Sequence, residues 1–150
     1  GYLMEKTFRE QVIGTWKLLE YTRTNTAGER YYPLGKDATG FLMYTQDGYM
    51  SAQLMAQERP EYTLEGLHNG TLEEMAKAAH GYHAYSGKYE VDEENQTLYH
   101  HMEVSLIPNR LGKMQDRKIV MDGAKITITS KATSSYLVWE RAPDHSKNSL

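Results

Sequence analysis

The chain has 150 residues, a formal net charge of −3 and no cysteine. That length suits one domain with a sizeable core, the charge leaves no basic footprint for nucleic acid, and the missing cysteine removes disulfide and thiolate chemistry. No apolar run approaches the roughly 18 residues of a membrane helix and the start GYLMEKTFREQ is no signal peptide, so a cytoplasmic protein with no membrane contact is expected.

Gly1 to Leu3, ahead of Met4, read as a remnant in front of the natural start. Glu5 to Ile13 predicts a short helix with Phe8 and Val12 on one face. Gly14 breaks it, and Thr15 to Arg23 reads as the first long strand. With Trp16 inward, strict alternation turns Leu18 and Glu20 inward and Lys17 and Arg23 outward. Turn-formers Asn25 to Gly28 lead to a brief strand near Arg30 to Tyr32, followed by Pro33 and Gly35. Thr39 to Thr45 and Tyr49 to Met55 form a hairpin around Gln46-Asp47-Gly48. A type I turn with a Gly48 bulge places Leu42 and Tyr44 on the side of Met50, Ala52 and Leu54; a two-residue Asp-Gly loop places Phe41 and Met43 there instead.

Thr71 followed by Glu74 is a capping box, so a helix is expected from there to about His83. Leu72, Met75, Ala76, Ala79 and His83 form its apolar stripe, which must rest on the outside of the sheet or across an open end. The segment from Gln57 to Tyr85 is therefore a candidate lid.

From Tyr85 to Ser130, four runs rich in Tyr, Val, Ile and Thr are broken by DEENQ, IPNRLGK and MDGA, which predicts consecutive antiparallel strands. Pairing across the DEENQ loop sets Tyr89 opposite His100 and Gly87 opposite Met102. One face then holds Tyr85, Tyr89, Val91, Leu98, His100, Met102 and Val104, and adjacent His101 points away. Asp122-Gly123 is a hairpin signal that sets Ile119 opposite Ile126 and Arg117 opposite Ile128, with Gln115 on the same side. Tyr136 to Arg141 supplies the last strand, with Leu137, Trp139 and Arg141 inward, and His145 to Leu150 is a polar, frayed tail. An open sheet of about nine such strands would expose its edges, so an all-β antiparallel barrel of 8 to 10 strands is expected, closed over residues 1–150 as one domain.

Gly14-Thr15-Trp16 with Arg141 on the last strand is similar to the calycin pattern, in which the Trp closes the barrel floor beneath a basic residue. The phrases YYPLGKDATGFLMYTQDGYMSAQLM, AYSGKYEVDEE, HHMEVSLIPN and LVWER resemble the lipocalin-like domain family of bacteria and fungi, over nearly the whole chain. The resemblance implies a lipocalin-like barrel with an internal cavity. Related barrels include ligand carriers and cofactor-free cyclases or isomerases of natural-product pathways.

His100 is the leading candidate for chemistry, because an imidazole titrates near neutrality; a satisfied interior histidine bonded to a tyrosine is the bland reading. Arg117 is costly to bury unpaired, and Glu20 is its expected partner, with Gln115 contributing. Functionally, His100 or Glu20 would move a proton while Arg117 steadies an oxyanion. The ligand-binding set adds Tyr44, Met50, Leu54, Tyr85, Tyr89, Met102, Gln115 and His83. Neither metal nor cofactor is expected: His100 and His101 face opposite ways, no HxH or HExxH spacing occurs, and no phosphate loop or dinucleotide fingerprint is present. Three functions stay open: a carrier of a small hydrophobic or aromatic molecule, a cofactor-free isomerase, cyclase or lyase, and a filled barrel with an interaction role. A homodimer through the face of Phe41, Met43 and Tyr49 is an alternative to the helix covering that face.

Overall fold

A computed structural model describes residues 5–150; the remnant read at Gly1 to Leu3 lies outside them. The chain begins with α1 (Phe8–Val12), whose N-cap Thr7 accepts a hydrogen bond from the Glu10 amide. Ten strands follow. They are β1 (Gly14–Thr24), β2 (Arg30–Tyr31), β3 (Thr39–Tyr44), β4 (Tyr49–Met55), β5 (Tyr82–Asp92), β6 (Thr97–His101), β7 (Val104–Ser105), β8 (Met114–Asp122), β9 (Lys125–Ser130) and β10 (Ser135–Arg141). Helix α2 (Leu72–His80) lies between β4 and β5, and a 3-10 turn (Pro108–Arg110) between β7 and β8.

Every strand pairing is antiparallel, and β10 pairs with β1 to close the ring β1-β3-β4-β5-β6-β8-β9-β10. Closure satisfies the edge amides that an open sheet would leave exposed. The core fills this eight-stranded barrel with side chains of alternate residues: Trp16 and Leu18, Leu42 and Tyr44, Met50, Ala52 and Leu54, Ile126 and Ile128, and Trp139 are all buried. At the closed end, Trp16 donates from Nε1 to the Val12 carbonyl at 2.9 Å. The Arg141 guanidinium lies 3.9 Å over its ring and donates to the Ile13 and Gln11 carbonyls, both at 2.6 Å. The floor read from Gly14-Thr15-Trp16 and Arg141 is therefore present.

Register decides which side chains face in, and three hairpins test it. In β3–β4 the Gly48 amide donates to the Thr45 carbonyl and Tyr44 pairs with Met50, the geometry of a type I turn with a bulge. Tyr44 is inward and Met43 outward. In β5–β6 Tyr89 pairs with His100 across the four-residue loop Glu93 to Gln96, as expected. At the end of that ladder the register slips: Ser86 pairs with Val104, which turns Val104 out to 61 % exposure. In β8–β9 the turn is Gly123-Ala124 rather than Asp122-Gly123, so Ile119 faces Ile128. Gly123 at φ 61° occupies the first central position, where a II′ turn requires a positive φ. The register is two residues away from expectation, and a slip of two leaves each face intact.

Two further expectations fail. A bulge in β1 breaks the alternation: Leu18 pairs with Trp139, but Glu20 pairs with Val138, which leaves Leu19 over. From that point Tyr21 and Arg23 turn inward, and Glu20 does not. The stripe of α2 is also not buried. Leu72 is 84 % exposed, and no α2 residue is fully buried. The helix is held by its ends instead. Thr71 and Glu74 form the expected capping box, and the second Glu74 oxygen accepts from the Thr63 amide and hydroxyl. Arg59 donates to the Ala78 carbonyl, and the Gly81 carbonyl accepts from Ala56. The helix stops at His80, so His83 belongs to β5. The outer face bearing Phe41, Met43 and Tyr49 stays exposed, so α2 does not cover it. Asp144 to Leu150 forms no strand or helix.

Candidate functional site

Inside the barrel, on the side away from the Trp16 floor, lies a cavity of about 50 Å³. A single water needs roughly 10–15 Å³, so the enclosed space admits about three to five waters, and a larger guest must extend toward its mouth. Its apolar wall comes from Leu42, Ala52, Leu54, Ile128, Leu137 and Trp139. These are the inward residues of β3, β4, β9 and β10.

The polar wall centres on His100, which β6 presents opposite Tyr89 on one side and Gln115 on the other. His100 is 1 % exposed, with Nε2 at 2.7 Å from the Tyr44 hydroxyl and Nδ1 at 3.0 Å from the Tyr85 hydroxyl. Burial, helped by the Arg117 and His101 charges, holds this imidazole well below its ordinary pKa, so it is neutral. A neutral ring donates from one nitrogen and accepts at the other. Tyr44 is fully buried, burial pushes its phenol well above the ordinary value, and its hydroxyl has no other partner among the described residues. Placing the ring proton on Nδ1 lets Tyr44 donate to Nε2 and leaves no buried hydroxyl hydrogen unused. Tyr85 then accepts from His100 and keeps its own O–H, and Tyr85 borders the cavity.

Arginines make up the rest. Arg117, 6 % exposed, donates to Gln115 Oε1 at 2.8 Å, to Ser130 Oγ at 3.2 Å and to the Asp116 carbonyl at 3.0 Å. The observed β8–β9 register explains the Ser130 contact, since one further step faces Arg117 with Ser130. Arg23 donates from Nε to the Thr133 carbonyl at 2.8 Å, and Arg110 Nη1 lies 3.3 Å from His83 Nε2. His83 packs on Tyr85 with centroids 5.4 Å apart. Burial first, then the charges of Arg110, Arg117 and Arg23, lowers its pKa to about 4.

Of the residues expected at the site, Leu54, His83, Tyr85, His100 and Arg117 border the cavity. Gln115 and Tyr44 stand behind them as hydrogen-bond partners. Tyr89, Met50 and Met102 are buried core outside the lining; Tyr89 donates to the Thr45 carbonyl at 2.6 Å and packs edge-on to Tyr44. Glu20 is outside the lining too and makes no ion pair with Arg117, because the β1 bulge turned it away. Sequence reasoning missed Tyr21, Arg23 and Arg110. The first two needed the bulge, and the third sits on a 3-10 turn that has no periodicity to read. Among the described residues no group of three or more His, Asp or Glu is placed to hold a metal ion. No described helix is long and apolar enough to cross a membrane.

Two neutral histidines, His100 buried and His83 half-buried, make stability depend on pH. Below about 6.5 the unfolded chain takes up protons that the folded protein refuses. Stability should therefore be level above that pH and decline from there toward pH 4. Urea unfolding at pH 7.5 and 5 should show the decline, and His100→Gln should make it shallower. Equal stability at the two pH values would mean that the imidazoles protonate in place.

The chain matches the lipocalin-like domain family over residues 13–145. It is 32 % identical over 108 residues to the 4'-hydroxy-3'-methoxypropiophenone carrier protein ppsC of Aspergillus oryzae, an alignment covering 63 % of this chain and 97 % of that one. Among solved structures, a lipocalin-like protein from Bacteroides uniformis aligns with a TM-score of 0.48 at 10 % identity, covering 87 % of this chain and 98 % of the other. A variant of the fluorescent protein UnaG aligns with a TM-score of 0.40 at 14 % identity, covering 90 % and 99 %. The family match spans the barrel from the residue before Gly14 to beyond Arg141, and by it the chain belongs to the lipocalin-like domain family.

Proposed function

We propose that this protein binds and carries a small aromatic molecule bearing an oxygen acceptor, held inside the barrel. The observation that carries the reading is the Tyr44–His100–Tyr85 chain, which delivers one uncommitted O–H to the border of the cavity, opposite its aliphatic and Trp139 wall. A ligand carbonyl or phenol oxygen satisfies that donor, and the aliphatic wall with Trp139 takes the ring. The name of the Aspergillus relative, a carrier of an aryl ketone, supports the same class of ligand.

The alternative, a cofactor-free isomerase, cyclase or lyase, needs a base that can take a proton from the substrate. Both His100 nitrogens are engaged by tyrosines, its basicity is suppressed by burial, and Glu20 is out of reach of the cavity. These three observations favour carriage over catalysis.

Titrating the protein with 4'-hydroxy-3'-methoxypropiophenone should quench tryptophan fluorescence saturably at one equivalent, and the ketone should be recovered unchanged. Tyr85→Phe, which removes one hydrogen bond without emptying the site, should weaken binding roughly five- to tenfold. No saturable change would refute the proposal, and chemical conversion of the ketone would favour the enzyme.

A further inference from the structure

The cavity is bordered by three guanidiniums and no carboxylate. Arg23 comes from β1, Arg110 from the 3-10 turn and Arg117 from β8. Their hydrogen-bond partners are all neutral: a backbone carbonyl of Thr133, an imidazole, and the Gln115, Ser130 and Asp116-carbonyl set. The ion pairs among the described residues are Lys77 with Glu73 and His101 with Glu90, and neither involves a cavity residue.

A guanidinium cannot shed its proton, so three of them around one hollow repel each other. Burial makes this worse, because fewer waters screen the charge. Side chains of the cavity do not supply the missing negative charge. Burial holds the Tyr21 phenol above its ordinary pKa even though Arg23, Arg110 and Arg117 all pull it down. The other titratable groups facing this space are His83, Tyr85 and His100, and both imidazoles are neutral. The remaining unpaired polar group in the wall, the buried indole Nε1 of Trp139, is a further donor. The wall thus has donors and positive charge in surplus, and its complement is an oxygen that carries negative charge.

We infer that the barrel selects its ligand as an oxyanion: a single-ring aromatic phenolate or carboxylate whose charged oxygen sits among Arg23, Arg110 and Arg117. This rests on the carrier reading and adds to it the charge state of the cargo. An aromatic ligand without an ionisable oxygen leaves the guanidiniums uncompensated and is bound more weakly.

Three probes of similar size test this: 4-nitrophenol, its methyl ether 4-nitroanisole, and 4-nitrobenzoate. Nitrophenol and its anion absorb at different wavelengths, so its ionisation on the protein can be followed directly. The bound phenol should ionise about one pH unit below the free phenol, a tenfold preference for the anion. 4-Nitroanisole should bind at least roughly tenfold more weakly than the phenolate. Arg110→Gln should reduce the preference for phenolate over 4-nitroanisole several-fold, and Arg23→Gln serves as the second variant should the first not fold. Nitrobenzoate binding more tightly than nitrophenolate would place a carboxylate on the natural cargo, and the reverse order a phenolate; either supports the inference. Equal affinity for phenolate and methyl ether overturns charge selection while the carrier reading stands. Binding of none of the three overturns both.

Discussion

Trp16→Ala is expected to cost about 4 kcal/mol, as large aromatic deletions in closed cores do. Trp16 is fully buried, its indole N–H is taken by the Val12 carbonyl, and Arg141 covers its other side. Removing the ring opens a void beneath the core and takes away the surface on which Arg141 rests. That guanidinium ties the last strand to the stretch before the first through Gln11 and Ile13, so the loss falls on the seam where the barrel closes. Against a total stability of roughly 5–15 kcal/mol, the variant should be marginal at room temperature. Trp16→Phe should lose only about 1 kcal/mol, the worth of one hydrogen bond with most of the packing kept. Urea unfolding of both variants measures the difference, and similar losses for the two would show that the hydrogen bond, not the ring, holds the floor.

Gly87→Ala should be nearly as damaging, at about 3 kcal/mol. Gly87 sits in β5 beside Met50 of β4, and a Cβ built on it collides with the carbonyl oxygen of His101. That neighbour is backbone and cannot rotate away. To admit even a methyl group, the end of β6 must lift from β5, which strains the bonds from the Glu103 amide to the Ser86 carbonyl and from the Lys88 amide to the Glu103 carboxylate. The same movement would displace His100, one residue away. A midpoint shift in urea worth less than about 1 kcal/mol would show that the two strands separate more easily than their close approach implies.

How much of this was legible in the residues depends on what kind of error each inference tolerates. The faces of β8 and β9 were read correctly although their turn was placed one residue early, because the resulting slip is two and parity survives it. The inward position of His100 follows from alternation alone, which also sets it on the face of Tyr85 and Tyr89; that Tyr85 and Tyr44 are its partners needed the closed barrel. Glu20 shows the opposite case: one surplus residue reverses every later side chain in the strand, and nothing in KLLEYTR announces the bulge. His83 borders the cavity as expected but from a strand, since the helix whose apolar stripe includes it in the sequence pattern ends at His80 and is pinned by its ends. Arg110 lies on an irregular turn, where sequence spacing carries no directional information.

The surplus residue at Leu19 also works as a phase shift in the wall of the barrel. Upstream of it the strand keeps one beat; downstream, Tyr21 takes the place opposite Leu137 that strict alternation gives to Glu20, and Arg23 follows it inward. The same residues paired without the bulge would turn Glu20 inward and Tyr21 and Arg23 outward, so that a carboxylate would enter the wall and a phenol and a guanidinium would leave it. The polarity of the hollow is thereby set by where the first strand carries its extra residue rather than by its composition.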